Sequence, residues 1–556
     1  MDVCGVYGMS AWRAIVVLSL LSIAMAAMGT RAGWLAGKEA PELQHQGRMR
    51  TEHREQLHAL RGVIRDRRGA PLAVSTPVWS LFVDPSRAEI APEDVLRLAE
   101  TLDVPASVLE GRLARRDRRF AYLRREVTPA RLQAVQALGI ADVQVQKEYR
   151  RYYPAGELAA HVVGIADIDE RGSEGVELAF DQQLQASPGR RRVLRDRRGN
   201  VVRELEVVAA AEPGRDIRLA LDLRIQHMAF RELEALVRQQ RAKAASLVML
   251  DARTGEILAM VNQPAYNPNR TSERTGAAVR NVAVVDVFEP GSTAKPFTVI
   301  AALESGQFAV DSTINTAPGY LHVGSKMIED PRNRGVLSLR EILAYSSQVG
   351  ATRLGLALPE RAVVDVLQRV GVGRPPGVGL PGEATGYLPA RANLREIERA
   401  TLSYGYGFLV SPLQLARAYL VLGSGGRDIP VALRRQDRPG EAAQVIDQQI
   451  AEQVRDMLAA VVEPGGTATR AQIPGYRVGG KTGTARKLGP EGYDDSRHLS
   501  FFAGMAPLDD PRVITVVVVD EAQGGTGGGA VAAPVFSRVV AHALRLLRIP
   551  AEERVI

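Results

Sequence analysis

One stretch constrains everything around it: residues 14–28 read AIVVLSLLSIAMAAM, without a single charge. With Gly29 and Thr30 the run comes to roughly 17 residues, the lower limit for crossing a bilayer as a helix. It is the one apolar run long enough to approach a span. Two readings compete. A cleaved signal peptide has a short apolar core and small residues at the cut, which Ala24-Met25-Ala26 would supply. A retained anchor would hold the rest of the chain outside the cytoplasm. Flanking charge does not choose between them, because Arg13 precedes the run while Arg31 and Lys38 follow it. Trp34 is placed as an interfacial residue.

At 556 residues the chain exceeds what one core usually holds, which predicts at least two domains. Hydrophobic residues at 46% against charged residues at 24% exclude disorder on a large scale. Cys4 is the single cysteine, so no disulfide within the chain and no cysteine metal site can form, and an oxidising compartment is permitted. The eight histidines are dispersed, with no HExxH, and no metal or other cofactor is nominated. The net charge is +8, with basic runs at Arg115, Arg116, Arg118 and Arg119 and again at Arg190, Arg191, Arg192, Arg195, Arg197 and Arg198. Such runs attract anionic lipid or polymer, or simply form a solvated face, and Asp117 and Asp196 interrupt both. Aromatics are scarce beside them, which argues against a single-stranded nucleic-acid platform.

Residues 39–58 are polar and helix-compatible, a stalk in this reading. A turn at 61–69 joins extended segments, and 78–83 (VWSLFV) predicts a strand. Residues 92–113 and 129–138 predict helices, each with proline near the first turn, where a missing N–H costs nothing. A strand at 143–148 and a loop entering a short helix over Arg151 to Gly164 complete a mixed, elongated half with no catalytic cluster. Composition shifts near Pro213-Gly214. Beyond it come a strand at 217–221, an amphipathic helix at 223–242, and apolar strands at 245–250 and 256–262 joined as a hairpin. Two more strands fall at 499–504 and 513–519, the second apolar throughout and hence central. A glycine-rich loop at 524–529 and a helix at 534–547 follow. The order predicts an α+β fold, an antiparallel sheet covered by helices, with a large helical insert.

Three short motifs fall on these elements. In Ser292-Thr293-Ala294-Lys295 the serine opens a helix after Pro290-Gly291, and the lysine lies one turn on, on the same face. A serine hydroxyl is a weak nucleophile until a base removes its proton, and a lysine whose pKa is lowered by burial can be that base. Ser346-Ser347-Gln348 lies in a region predicted helical, residues 343–356, and offers a hydroxyl to relay protons and an amide to hold a peptide group. Lys481-Thr482-Gly483-Thr484 reads as an edge strand facing a cleft. Its lysine and threonine can hold a carboxylate, and its glycine lets a substrate backbone approach closely. Each motif alone is weak. Together, in this order and with gaps of roughly 50 and 130 residues, they match the SxxK, SDN-type and KTG set of penicillin-binding proteins and class A β-lactamases.

With these motifs the chain resembles a class B penicillin-binding protein of the division-specific, FtsI-like type. The resemblance runs through Arg61-Gly62, Asp66-Arg67 and Gly69, the EPGSTAKP segment at 289–296, GLPGEATGYLP at 379–389, SYGYG at 403–407 and GGKTGTA at 479–485. The 379–389 stretch favours the division subtype over the elongation subtype. The resemblance implies a tail at 1–13, a retained single-pass anchor at 14–30 in the bacterial inner membrane, a pedestal or dimerisation-type module at 31–215 and a periplasmic transpeptidase domain at 216–556. It implies that Ser292 attacks the D-Ala-D-Ala bond of a peptidoglycan stem, that Lys295 takes its proton and that Ser346 passes it to the leaving D-alanine. The backbone N–H groups of Ser292 and Thr484 would form the oxyanion hole. Lys481, Thr482 and Thr484 would hold the carboxylate of a β-lactam acylating the same serine. An amine from a second stem peptide would resolve the acyl-enzyme. A SEDS-family, FtsW-like glycan polymerase and other division proteins are implied partners, and nucleic acid is not. Where the family usually has asparagine this chain has Gln348, which keeps the amide and adds a methylene. The rivals are a β-lactam hydrolase or sensor, which needs a water-activating base that the sequence does not nominate, and a weakened scaffold of the division machinery, for which Gln348 would be the sign.

Overall fold

The computed structural model describes residues 6–39, 41–42, 45, 52–195, 201–274, 276–438, 440–489, 492–525 and 527–551. Cys4, Asp196, Arg197 and Arg198 lie outside the described residues. The chain divides into two compact units, residues 1–60 with 186–213 and residues 61–185 with 214–556.

In the first unit the apolar run belongs to a helix, Val6–Trp34, longer than the run itself. At 29 residues it spans about 44 Å, the thickness of a bilayer with its headgroups. The stretch Trp12–Lys38 is long and apolar enough to cross a membrane, and none of it is buried in the protein. Lys38 stands 4.5 Å over the Trp34 ring, the pairing expected at a polar boundary. The predicted stalk is not helical throughout. Glu52–Leu57 is a strand, paired antiparallel with Gly189–Arg195, which pairs in turn with Val201–Ala209. A partner some 130 residues away decides that conformation, which no local pattern records. The same pairing engages two arginines of the second basic run: Arg191 lies 2.8 Å from both Glu55 and Glu204, and Arg192 lies 3.3 Å from Glu52 and 3.4 Å from Glu206. These arginines are cross-strand ion-pair partners.

The second unit carries a five-stranded antiparallel sheet in the order Ile257–Gln263, Ala244–Asp251, Val513–Asp520, Gly492–Ala506, Gly479–Gly489. Seven of the eight residues of Val513–Asp520 are buried, because the strand is central and helices cover both faces. Helices Leu223–Gln240 and Gly528–Leu546 pack on each other and on the sheet, and Pro412–Gly423 packs against its three central strands. The last helix begins at Gly528, six residues before Pro534, which is accommodated inside it. The glycines permit this: a Cβ on Gly528 would lie 1.9 Å from the Phe501 carbonyl oxygen, so only glycine lets the first turn dock on the sheet.

Residues 61–185 add a smaller mixed sheet around Pro71–Val83, flanked by Ala121–Val127 and Gln144–Tyr152. Its own core gathers Leu81, Val95, Leu98, Leu102, Leu109 and Leu123. The helix expected over 92–113 is two, Pro92–Leu102 and Ala106–Leu113, broken where Asp103 turns left-handed ahead of Pro105. The turn motif at 61–69 is a splice. Asp66 accepts from the backbone of Arg68 at 2.9 Å, of Ala70 at 2.8 Å and of Leu223 at 3.2 Å, and Arg67 pairs with Glu256 at 3.1 Å. The small module is thereby joined to the first helix and first hairpin of the large sheet.

Candidate active site

The turn before Ser292 is shaped by two glycines. Gly291 has φ +48°, and its N–H donates to the Gly405 carbonyl at 2.9 Å. A Cβ on Gly405 would sit 1.8 Å from the Gly291 oxygen, so the SYGYG loop approaches the turn as closely as a backbone can. Ser292 lies in a 3-10 turn, Gly291–Ala294, that runs into the helix Lys295–Glu304. The turn is tied from both sides: Thr293 Oγ1 donates to the Pro290 carbonyl at 2.6 Å, and the buried Tyr419 hydroxyl donates to the Thr293 carbonyl at 2.9 Å. Ser292 is half-buried, whereas Lys295 has no exposed surface.

Lys295 Nζ donates to the Ser346 carbonyl and, at 3.1 Å, to Ser346 Oγ. Burial pulls the lysine down to about 7, and Asp330 opposes that fall. An ammonium whose ordinary pKa is above 10 is therefore poised near neutrality.

The helix expected over 343–356 is interrupted at the motif. Leu339–Tyr345 ends with Ser346 in the left-handed region, φ +60°, its N–H capping the Ile342 and Leu343 carbonyls. A new helix, Gln348–Ala357, starts with Ser347 as N-cap, its Oγ accepting from Gly350 N at 2.8 Å. A non-glycine residue held left-handed costs on the order of 1–3 kcal/mol and persists only where its surroundings impose it. Here the break aims the Ser346 hydroxyl and carbonyl at Lys295. Gln348 is half-buried and opens the second helix.

Lys481, Thr482, Gly483 and Thr484 stand on the edge strand Gly479–Gly489, as the sequence predicts. Lys481 is fully buried, its Nζ donating to the Thr482 carbonyl at 3.2 Å and to Thr482 Oγ1 at 3.3 Å. Burial and the like charge of Lys295 both push it well below its ordinary value. The two lysines thus lie within electrostatic reach of each other, on the helix and the strand that flank the serine turn. Gly483 has a packing reason as well: a Cβ there would fall 1.8 Å from the ring of Phe501, its cross-strand partner. Thr484 is exposed, and its carbonyl lies 3.3 Å from where a Cβ on Gly291 would stand, which sets the strand directly beside the Ser292 turn. The structure thus brings Ser292, Lys295, Ser346, Lys481, Thr482, Gly483 and Thr484 to one place, with Gln348 two residues from the Ser346 hydroxyl.

Three further residues belong to this site and were not singled out by pattern. Asp330 accepts from Ser347 Oγ and Gln348 N, both at 2.5 Å, and from Val349 N at 3.2 Å. Thr467 Oγ1 lies 3.0 Å from Thr482 Oγ1. Glu289 accepts from Gly407 N at 2.8 Å and from the Tyr493 hydroxyl at 2.9 Å, tying the SYGYG loop to the hairpin that extends the edge strand. Only Glu289 had a signal, its place in the EPGSTAKP segment. Among the described residues no group of three or more His, Cys, Asp and Glu side chains is placed to hold a metal ion.

Two family models match the chain: the penicillin binding protein transpeptidase domain over 245–541 and the penicillin-binding protein dimerisation domain over 56–219. The peptidoglycan D,D-transpeptidase FtsI of Escherichia coli K12 is 38% identical over 545 residues, covering 97% of this chain and 92% of that one. Among solved structures, the transpeptidase domain of penicillin-binding protein 3 from Burkholderia pseudomallei is 39% identical with a TM-score of 0.56, covering 60% of this chain and 97% of that one. Penicillin-binding protein 3 of Mycobacterium tuberculosis in complex with aztreonam is 26% identical with a TM-score of 0.70, covering 90% of this chain and 99% of that one.

Proposed function

The chain belongs to the class B penicillin-binding proteins, the FtsI-like peptidoglycan D,D-transpeptidases, and from that premise we propose that Ser292 is the nucleophile of a serine acyl-enzyme. The observation that carries this reading is the fully buried Lys295, brought to about 7 and directed at Ser346 beside the Ser292 turn. At neutral pH a large share of such a lysine is the free amine. Lys295 Nζ takes the proton of Ser292 Oγ as the oxygen attacks the carbonyl carbon of the D-Ala-D-Ala bond. The backbone N–H groups of Ser292 and Thr484 receive the negative charge that develops on the carbonyl oxygen, each donor being worth roughly 100- to 1,000-fold. The proton passes through Ser346 Oγ to the leaving nitrogen, the C–N bond breaks and D-alanine departs. The amine of a second stem peptide then attacks the ester carbonyl, an amide crosslink forms, and Ser292 regains its proton. Lys481, Thr482 and Thr484 hold the substrate carboxylate, Gly483 lets its backbone lie along the edge strand, and the Gln348 amide meets a peptide group of the stem.

In this reading β-lactams acylate Ser292 as stem-peptide mimics; one relative was solved with aztreonam bound. Residues 31–215 serve as pedestal and 216–556 as transpeptidase domain, anchored by the N-terminal helix in the inner membrane with the catalytic side in the periplasm. The work is septal crosslinking, with a SEDS-family, FtsW-like polymerase supplying glycan. The test is fluorescent-penicillin labelling of the full chain in membranes. Wild type should label covalently, and Ser292→Ala should fold with unchanged thermal stability and label not at all. Labelling that persists on another serine would sink the assignment.

A further inference from the structure

We propose that Asp330 is the positioning residue of this site: its carboxylate clamps the Ser346–Ser347–Gln348 turn and sets the charge that Lys295 experiences. The inference rests on the serine acyl-enzyme reading above. Asp330 follows the short strand Lys326–Glu329, its own N–H held by the Gly319 carbonyl at 2.9 Å, and it is only half-buried. One oxygen accepts from Ser347 Oγ at 2.5 Å, the other from Gln348 N at 2.5 Å and Val349 N at 3.2 Å. Three donors thus converge on one carboxylate, at the start of a ten-residue helix whose own N-cap, Ser347, is one of them. An ordinary helix start needs only the cap.

The second anchor has a consequence one residue upstream. Ser346 sits left-handed between two helices, a conformation that its own backbone preference opposes. Its N–H is held by the helix before it, and the residues after it are held by Asp330. Between these two holds the Ser346 carbonyl and hydroxyl are fixed where Lys295 Nζ meets them. Without the Asp330 clamp the second helix could still start, but the orientation of the turn would rest on Ser347 alone.

Asp330 also brings charge. One ionisable group shifts Lys295 through the field, Asp330, which favours its protonated form, while Lys295 in turn pushes the nearby Lys481 down. Apart from Arg353, whose Nε is buried without a partner among the described residues, the charged side chains on the helices packed around the lysine are engaged elsewhere. Glu452 accepts from Gln448 at 2.9 Å, and Arg455 donates to the Asp509 carbonyl at 3.4 Å. Arg340 pairs with Asp456 at 3.0 Å, Arg361 pairs with Asp365 at 3.3 Å, Arg369 pairs with Glu304, and Glu341 accepts from Ser338. Arg353 stands on the Gln348–Ala357 helix itself. Among the described residues Asp330 is the one carboxylate that holds the lysine's proton affinity up against burial. It works through other residues and touches neither the serine nor the scissile bond.

Cap and electrostatic setting separate in the pH profile of acylation. The second-order rate of Ser292 acylation by a fluorescent penicillin is measured from pH 5 to 9 for wild type, Asp330→Asn, Asp330→Ala and Ser347→Ala, with thermal unfolding of each. Asp330→Asn keeps an acceptor oxygen and loses the charge. Lys295 then binds its proton less tightly, so the acid limb moves to lower pH, by about half a unit or more. Ser347→Ala breaks one clamp bond and keeps the charge; its plateau rate falls several-fold and its limb stays in place. Asp330→Ala shows both, with a plateau tenfold or more below wild type. A limb unmoved in Asp330→Asn, or moved equally in Ser347→Ala, overturns the electrostatic part. Plateau rates within twofold of wild type for Asp330→Ala and Ser347→Ala overturn the clamp, whatever happens to stability. Wild-type labelling lost in Ser292→Ala, followed in the same series, keeps the nucleophile reading separate: its failure would show as label on another residue, while failure of the Asp330 inference leaves the label on Ser292.

Discussion

Two of the second unit's sites of buried charge are treated in opposite ways. In the small module Arg61, Arg151 and Glu177 are 2%, 4% and 0% exposed. Arg61 donates to Glu177 Oε2 at 2.8 Å, to Asp181 at 2.6 Å and to the Glu177 carbonyl at 2.9 Å. Arg151 donates to Glu177 Oε1 at 2.6 Å, to Ser75 at 3.2 Å and to the Gly62 carbonyl at 2.8 Å. Burial pulls Arg61 down, and Glu177 with Asp181 more than offset it, so the guanidinium is held above its ordinary value. At the active site Lys295 and Lys481 are just as buried, but their hydrogen-bond partners are hydroxyls and carbonyls. The difference follows from the groups. A guanidinium does not give up its proton in a protein, so burying it requires carboxylates and produces a fixed joint. An ammonium does give it up, so burying it without a contacting carboxylate produces a base. The first arrangement makes structure and the second makes chemistry.

The comparison breaks first at the lysine. Lys295→Met keeps the volume and removes the amine. Its acylation rate should fall about 100- to 10,000-fold, the range for losing a general base. Its thermal stability should hold or rise, because an unsupported buried amine is exchanged for an apolar side chain. A large loss of stability in that variant would show the lysine to be a structural group like Arg61.

Next in size is the joint. Glu177→Gln leaves two buried guanidiniums without the carboxylate they share, a loss of about 3 to 5 kcal/mol in folding free energy by denaturant unfolding. Acylation per folded molecule should stay within about twofold, since Glu177 is not among the groups that act on Lys295. Equal losses of rate and stability would mean that the two clusters are coupled.

Protonation sharpens the contrast. With Lys295 at about 7, its base form prevails above that pH and its acid form below. The acylation rate should therefore be flat from about pH 8 upward and fall tenfold per unit below about 6.5. The arginine cluster contributes no limb, since its cations do not titrate in this range. A rate independent of pH from 5 to 9 would remove Lys295 from the role of base.

Much of this is legible in the sequence alone, and the reason is periodicity. Val513–Asp520 announced itself as central because seven apolar or β-branched residues run together, and Leu223–Gln240 by its amphipathic repeat. The three motifs fall on the elements the sequence assigns to them, save for the break at Ser346. That break was invisible because serine carries no left-handed signal, and what imposes it comes partly from Asp330, sixteen positions upstream. Gly483 was read through a substrate, and its packing reason, the ring of Phe501, depends on strand register. The strand Glu52–Leu57 needed a partner more than a hundred residues away. What local pattern leaves out is long-range pairing and backbone imposed by neighbours.

The smallest effect belongs to Gln348, where the family usually has asparagine. Its backbone is pinned, the N–H held by Asp330 at 2.5 Å at the first position of a helix, so exchange for asparagine alters only the reach of the amide. The glutamine side chain is half-buried and one methylene longer. To present its amide where asparagine would, it must fold back, and ordering it costs up to about 1.5–2 kcal/mol of side-chain entropy. A hydrogen bond displaced from the transition state costs further rate. Gln348→Asn should therefore raise the second-order acylation rate several-fold and leave thermal stability nearly unchanged, because the clamp on the backbone is untouched. Gln348→Ala should lower the rate, the amide being gone. Stopped-flow acylation by one β-lactam compares the three. Equal rates would place the Gln348 side chain outside the reacting complex, and the lysine site would then work with Ser346 alone from that turn.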